Sequence, residues 1–278
     1  MTITRNDVLK ANIKLHTQLV DVYRDVEPHY RPENQIRVDK ILANIAPSSK
    51  NGRLLDIGCG MGFIIDIAKK HFAHIHGIDI TEAMLQRVNT ISDNCDISLC
   101  IAEAEDLPFL NQTFDVVSAY AVIHHLHSLQ PAFEEIYRVL KPGGFFYTDT
   151  DPNFYFWDAI RMLPQDLEYS SIIKREVDAI LHKDIELTEK FGVASGVLTV
   201  AEILKHDSGG FKAEDLEFLL RKIGFSQVSI HYEWFLGEAR VIHSEDMSYA
   251  IDSIRLLMHE LLPMSRHLFK YVRIMAQK

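Results

Sequence analysis

The stretch LLDIGCGMGF, residues 54–63, constrains this chain more than any other. An apolar run enters a turn with three glycines, Gly58, Gly60 and Gly62, and leaves it into a second apolar run. A strand that turns over glycines into a helix aims backbone N–H groups and a positive dipole end at the C-terminal edge of a sheet. Glycine also lets a ligand approach the backbone closely. Three ligand types share this plan. A phosphate-clamping loop needs Lys and Ser or Thr after its last glycine, whereas Phe63, Ile64 and Ile65 follow Gly62 here. A dinucleotide loop needs G-x-G-x-x-G, and Phe63 stands in place of its third glycine. Asp56 precedes the first glycine by two positions; a carboxylate there repels pyrophosphate and attracts an ammonium group. The loop favours a ligand with a positive end.

The surrounding pattern supplies the fold. RLLDIG, HIHGIDI, ISLCIAEA, FDVVSAYAV and FFYTDTD read as apolar strands. MGFIIDIAKKHF, TEAMLQRVNTI (with Thr81 as N-cap) and LQPAFEEIYRVL, stopped by KPGG, read as the helices between them. Such alternation predicts a parallel sheet covered on both faces. Upstream, Leu9, Ile13, Leu19, Val20, Tyr23 and Val26 recur near helical spacing, PHYRPEN interrupts them, and QIRVDKILANIA makes a second helix. From 153 to about 210 helical pieces such as WDAIRML and SIIKREVDAIL replace the alternation. It resumes with the helix KAEDLEFLLRKIG and the strand SQVSIHYEWF; the helix DMSYAIDSIRLLMHELL and a last strand KYVRIMA close the chain.

Bulk properties exclude several classes. Lys plus Arg number 29 against 39 Asp plus Glu in 278 residues, a formal charge of −10 that disfavours a nucleic-acid partner. No apolar run reaches membrane-spanning length, and MTITRNDVLK lacks the features of a secretion signal, so the expected location is cytoplasmic. Cys59, Cys95 and Cys100 form no CxxC pair; Cys59 reads as a small residue filling the glycine turn. Asp79 ends the second strand about 20 residues after the glycines, the spacing of an acid that grips ribose hydroxyls. A strand-end cap for the next helix is its other reading.

Taken together, LLDIGCGMG, GIDITEAML, AEAEDLPF, FDVVSAYAVIHHL, RVLKPGGFF and FKAEDLEFLLRKIGF resemble, in order, the motifs of the class I S-adenosylmethionine-dependent methyltransferases. The nearest flavour is the small-molecule branch that includes the ubiquinone and menaquinone enzymes. The resemblance covers about 38–151, 211–235 and the final strand. It implies a doubly wound, mostly parallel seven-stranded Rossmann-like sheet and S-adenosylmethionine as cofactor. It places the backbone of Gly58, Cys59 and Gly60, with Asp56, at the donor's methionine end. Asp79, Ile80 and Met84 would meet the nucleoside; Glu103 (where Asp is commoner), Ala104 and Glu105 the adenine; Tyr120 and Ala121 the reacting centre. Tyr23 belongs to an N-terminal extension that would cover the donor.

The expected organisation is a single domain over 1–278. It comprises an extension (1–37), a cofactor-binding core (38–152), a helical insertion or lid (153–210) and C-terminal core strands with a second insertion (211–278). The expected activity is methyl transfer to an O, N or C nucleophile of a small or medium-sized metabolite, by a monomer or homodimer. A non-catalytic cofactor-binding regulator and a nicotinamide-dependent oxidoreductase are the rivals. Within HHLH, no carboxylate or Cys stands at ligand spacing around His124, His125 and His127, so no metal is expected. His125 and Tyr120 are the catalytic candidates, with His125 as general base; packing of the turn after the fourth strand is the other reading of that histidine pair. His74 and His76 read as packing or surface. Tyr23, His29, Tyr30 and Arg31, and a second patch of Asp149, Asp151, Asn153, Phe154, Phe156 and Trp157, are expected to bound the substrate.

Overall fold

A computed structural model describes residues 3–48, 51–164, 168–169, 174, 177–178, 181–236, 238, 248–260 and 262–278. The chain opens with helices α1 (Arg5–Leu19), α2 (Tyr23–Val26) and α3 (Pro32–Ile45). The core follows as β1 (Arg53–Ile57), α4 (Phe63–Ala68), β2 (His74–Asp79), α5 (Glu82–Leu85), β3 (Asp96–Ile101) and β4 (Phe114–Tyr120). A 3-10 turn at Ile123–His125 leads to α6 (Leu129–Val139) and β5 (Leu140–Pro152). The helices described next are α7 (Phe154–Arg161), α8 (Lys183–Phe191), α9 (Val197–Ala201) and α10 (Ile203–His206). The chain ends with α11 (Ala213–Ile223), β6 (Gln227–Phe235), α12 (Ser248–Glu260) and β7 (Phe269–Gln277).

The strands form one seven-stranded sheet in the order β3-β2-β1-β4-β5-β7-β6. β1 to β5 pair in parallel, and β7 runs antiparallel to both β5 and β6. This is the doubly wound, mostly parallel arrangement expected. Leu54 packs on one face with Val38 and Leu42 of α3 and Ile64 and Ile65 of α4. Leu55 and Ile57 pack on the other with Phe133 and Ile136 of α6 and Leu216 and Leu220 of α11. Both faces being covered explains why every residue of β1 after Arg53 is buried. Each such side chain, fully buried, stabilises the fold by roughly 1.5–3 kcal/mol. Among the described residues, no helix is long and apolar enough to cross a membrane.

Three local expectations change. The helix read from TEAMLQRVNTI spans only Glu82–Leu85, and Thr81 makes no side-chain cap bond. The Asp79 carboxylate takes the Thr81 N–H instead, at 2.8 Å. KPGG does not precede the fifth strand but arches out inside it: Phe114 pairs with Leu140, and pairing resumes at Val116 with Phe145. Pro142 has no N–H for the ladder and Gly143 takes φ +80°, so this stretch cannot continue the pairing. The helix read at 171–181 lies mostly outside the described residues, as do Asp246, Met247 and Leu261 of the helix read at 246–262.

α1 starts on a capping box, with Thr4 Oγ1 accepting from the Asp7 N–H and Asp7 accepting from the Thr4 N–H. Its buried stripe is Val8, Asn12, Leu15 and Leu19, offset from the apolar stripe expected, while Ile13 is exposed. A polar residue occupies this stripe because Asn12 Nδ2 donates to the carbonyls of Val8, Ala201 and His125, at 3.0, 3.0 and 3.1 Å. Asn12 thereby joins α1 to α9 and to the turn after β4. Leu15 and Leu19 pack with Leu187, Val193, Leu198 and Ala201, so the N-terminal helix and the 183–201 helices form one apolar unit. Asn12→Ala leaves buried carbonyls unpaired, a loss of about 1–3 kcal/mol. Deuterium exchange in α1 is expected to quicken roughly tenfold to a hundredfold while β1 and β4 hold; unchanged exchange in α1 would remove Asn12 from this role.

Candidate functional site

The glycine loop follows β1 at the C-terminal edge of the sheet. Gly58 has φ +61°, and a Cβ there would come within 2.5 Å of Val122 Cγ2, so only glycine fits. Gly60 has φ +53°, and a Cβ there would meet no atom within 4 Å; its face is open. The Cys59 N–H donates to the Ile78 carbonyl and the Gly60 N–H to Asp79 Oδ2, both at 2.9 Å. Asp79 therefore ties the loop to the end of β2 through one oxygen and holds the Thr81 N–H ahead of α5 through the other. Cys59 is buried, and burial pushes its thiol well up, which keeps it protonated and inert.

Gly58, Gly60, Asp79 and Ile80 line a cavity of about 100 Å³. Glu103, Ala104 and Glu105, from the loop after β3, form its next wall. Tyr120, Ala121 and His125 close it beyond β4, and Asn12, His16 and Tyr23 cover it from the N-terminal segment. Met84 does not line it and is buried in the protein. Arg5 of α1 pairs with Glu103 and lies 3.7 Å from Glu105, latching the helix over this end. Neither Arg5 nor His16 stood out in the sequence, because each reaches the site across the fold rather than through a motif.

Asp56 lies beneath the loop. Ser118 donates to its Oδ1 at 2.8 Å, while Oδ2 is buried without a hydrogen-bond partner. Burial is the main cause of its displaced titration: the carboxyl is pushed up to about 7. It adjoins a small hollow of about 20 Å³ shared with Cys59, Tyr23, Tyr30, Phe63 and Tyr120. Phe63 lies 4.9 Å from Tyr120 and 5.3 Å from Tyr30, ring to ring, and His29 packs among the same rings. A carboxylate with an unpaired oxygen beside aromatic faces suits a cation.

The candidate catalytic groups have defined surroundings. The Tyr120 hydroxyl accepts from Asn34 Nδ2 at 2.9 Å and lies 3.5 Å from Arg37; burial raises its phenol well above the ordinary range. His125 Nδ1 is buried without a hydrogen-bond partner. Burial, then the neighbouring His124 and His16, hold its imidazole well below the usual histidine range, so it stays neutral. His16 Nδ1 lies 2.9 Å from the Asn12 carbonyl. A carbonyl only accepts, so in the neutral ring Nδ1 carries the hydrogen and Nε2 keeps its lone pair.

The second patch expected at the substrate has a different role. Asp149, Asp151 and Asn153 are fully buried and committed to internal bonds. Asp149 accepts from Arg37 at 2.8 Å and Tyr147 at 2.9 Å. Asp151 accepts from His124 Nδ1 at 2.8 Å and from Thr148. Asn153 caps α7 and donates to the carbonyls of Arg266 and Phe269. Phe156 and Trp157 pack in a separate apolar cluster with Ile160 and Val177. Strand-end polar residues face inward here because β7 and its preceding turn cover them. A larger hollow of about 420 Å³, bounded by Asn34, Arg37, Ile41, Trp234 and Arg255, lies along the same sheet edge; Arg31 lines it too. The Asn34 and Arg37 side chains that hold the Tyr120 hydroxyl thus stand between the two cavities.

A carboxylate does stand near the paired histidines, contrary to the reading from local spacing. Glu202, between α9 and α10, brings an oxygen to within 4.8 Å of a ring nitrogen of His124 and of His125, and those two nitrogens are equally close.

Residues 55–148 match the family described as Methyltransferase domain. Over 127 residues the chain is 34% identical to the 27-O-demethylrifamycin SV methyltransferase of Amycolatopsis mediterranei, covering 44% of this chain and 47% of that one. It is 30% identical over 122 residues to the malonyl-[acyl-carrier protein] O-methyltransferase of Enterobacter lignolyticus, covering 42% and 47% respectively. The match thus spans less than half the length of either relative. The fold resembles phosphoethanolamine N-methyltransferase 2 of Haemonchus contortus, solved with phosphomonomethylethanolamine and S-adenosylhomocysteine. That likeness has a TM-score of 0.52 and 18% identity, covering 89% of this chain and 52% of the other.

Proposed function

We propose that this chain, which carries a class I S-adenosylmethionine-dependent methyltransferase domain, transfers a methyl group from S-adenosylmethionine to an oxygen, nitrogen or carbon nucleophile of a small or medium-sized metabolite. One juxtaposition carries the reading: the open face of Gly60, the Asp79 carboxylate and the unpaired Oδ2 of buried Asp56 converge at the ends of β1 and β2. The carboxylates there repel a phosphate, whereas an ammonium and a pair of hydroxyls would each find a carboxylate. The donor supplies a methyl group already activated on a sulfonium, so the protein's task is to bind, orient and exclude water.

On this reading Asp56 Oδ2 takes the donor's ammonium, and the backbone of Gly58, Cys59 and Gly60 lies along its amino-acid end. Asp79 holds the ribose with the acceptor capacity its two oxygens retain. Ile80, Glu103, Ala104 and Glu105 enclose the adenine. Tyr120 and Ala121 border the reacting centre, with Tyr120 as a wall fixed by its occupied hydroxyl. His125 and His16 are the imidazoles at that end; His16, with its free Nε2 lone pair, accepts the proton where the nucleophile carries one. The cavity of about 100 Å³ is smaller than the roughly 300–1,000 Å³ of typical ligand pockets. On this reading α1 covers the donor, and the 1–37 and 153–210 segments act as one lid on the 38–152 core. The 420 Å³ hollow is the proposed vestibule for the acceptor.

The relatives are named for unlike acceptors, which keeps the substrate at the level of class; the protein would work in the cytoplasm as a monomer or homodimer. The G-x-G-x-G loop and the methyltransferase relatives give no support to the nicotinamide reading. Calorimetric titration with S-adenosylhomocysteine, the demethylated product, is expected to show saturable one-to-one binding competed by S-adenosylmethionine and not by NADH. Absence of saturable binding would sink the proposal.

A further inference from the structure

We propose that His124, His125 and Glu202 form a binding site for a divalent transition-metal ion at the end of the donor cavity. Two imidazoles and one carboxylate suit zinc, cobalt, nickel or iron rather than the all-oxygen preference of magnesium or calcium. The three donors come from two distant segments and bring one atom each to within 4.8 Å of the others. One buried nitrogen of the group, Nδ1 of His125, has no hydrogen-bond partner among the described residues, and Nε2 of His206 already lies 3.5 Å from Glu202 Oε2. Buried polar atoms are almost always paired, so an unpaired imidazole nitrogen in a histidine of this group calls for a partner. His124 adds the device that orients metal-binding imidazoles. Its Nδ1 is bonded to the buried Asp151 carboxylate, itself held by Thr148, which fixes the ring and leaves Nε2 as the lone-pair nitrogen.

One residue opposes the ion. Lys205 Nζ lies 2.5 Å from Glu202 Oε2, above the Trp157 ring. Glu202 and Asp151 then face one ammonium and one dication, a positive charge in excess; Lys183 and Glu27, which also act on this region, offset each other. Lys205 is thus a built-in competitor that weakens metal binding without removing a donor. His125 also lines the donor cavity. With an ion on Nδ1 its Nε2 carries the hydrogen, which leaves His16 as the proton acceptor. If the proposed methyltransferase reading holds, the ion's open positions would hold a lone-pair atom of the acceptor beside the transferable methyl.

Chelator-treated protein titrated with Co2+, followed by visible absorption, and with Zn2+, followed by calorimetry, tests the binding itself. One equivalent of either ion is expected to bind saturably. The double variant Glu202→Gln/Lys205→Met removes the carboxylate together with its ammonium, keeping volume and charge balance. Its Zn2+ affinity should fall at least ~10-fold, the scale of loss when a metal's support is removed. Lys205→Met alone should bind the ion more tightly than the wild type. S-adenosylhomocysteine binding without metal, measured on every variant, reports the fold and separately tests the methyltransferase reading. No saturable ion binding by the wild-type protein would overturn the metal site, and so would equal affinity in the wild type and the folded double variant.

Discussion

Replacing Asp79 with Ala is expected to weaken S-adenosylhomocysteine binding by about one to three powers of ten. Two losses add. On the proposed reading the carboxylate would hold the ribose by a charge-assisted hydrogen bond worth roughly 1.5–3 kcal/mol. The same side chain accepts from the Gly60 and Thr81 N–H groups, so its removal also frees the glycine loop from β2. Asp79→Asn should fall between the wild type and Ala. Its single carbonyl oxygen can hold one of those N–H groups, but its NH2 turns a donor toward the other. Calorimetry on the three proteins decides the matter; equal affinities would take Asp79 out of the site.

Asp56→Asn should make the unliganded protein more stable at neutral pH and make it bind the donor less well. The folded protein holds the Asp56 proton up to about 7, against 3.8 for the ordinary group. A raised carboxyl pKa means that the folded state binds the proton more tightly than the unfolded chain. Stability from this group is therefore intact below about pH 4, declines between about 4 and 7, and is lost above 7. The deficit at neutral pH is on the order of 4 kcal/mol, which corresponds to up to ~10 °C in melting temperature. Asn carries no charge to bury, so the variant should melt higher than the wild type at pH 8, with the gap closing toward pH 4. The unpaired NH2 of Asn trims this gain.

Binding should move the other way. An ammonium ligand requires the ionised carboxylate, so wild-type affinity for S-adenosylhomocysteine should rise up to ~10-fold per pH unit below about 7 and flatten above it. The variant should bind at least ~10-fold more weakly at pH 7.5 and lose that slope. Identical pH profiles for the two proteins would separate Asp56 from the ligand's charge.

Much of this site is legible locally. The strand–glycine–helix pattern at 54–63, the acid at 79 and the loop at 103–105 fall at the ends of consecutive parallel strands, and such ends share one edge of the sheet. The positive φ that favours glycine at 58 belongs to the turn, while the contact that excludes any Cβ there comes from Val122 beyond β4. Other parts depend on which distant segments meet. Asp149, Asp151 and Asn153 have the composition of a substrate-facing patch, yet β7 and the turn before it cover them and take up their polar atoms. Asn12 breaks an apolar period and is still buried, because carbonyls of three separate segments need its amide.

The sequence by itself determined the parallel core, the place of the glycine loop and the carboxylates beside it. These follow from side-chain period, glycine conformations and charges within a few residues of one another. Only the tertiary structure decided that Arg5 and His16 reach the cavity, and that Glu202 joins His124 and His125. Those meetings depend on how α1 and the helices after β5 pack together across the sheet edge. Burial then determines which polar groups remain unpaired, and neither packing nor burial is a property of any short stretch of chain.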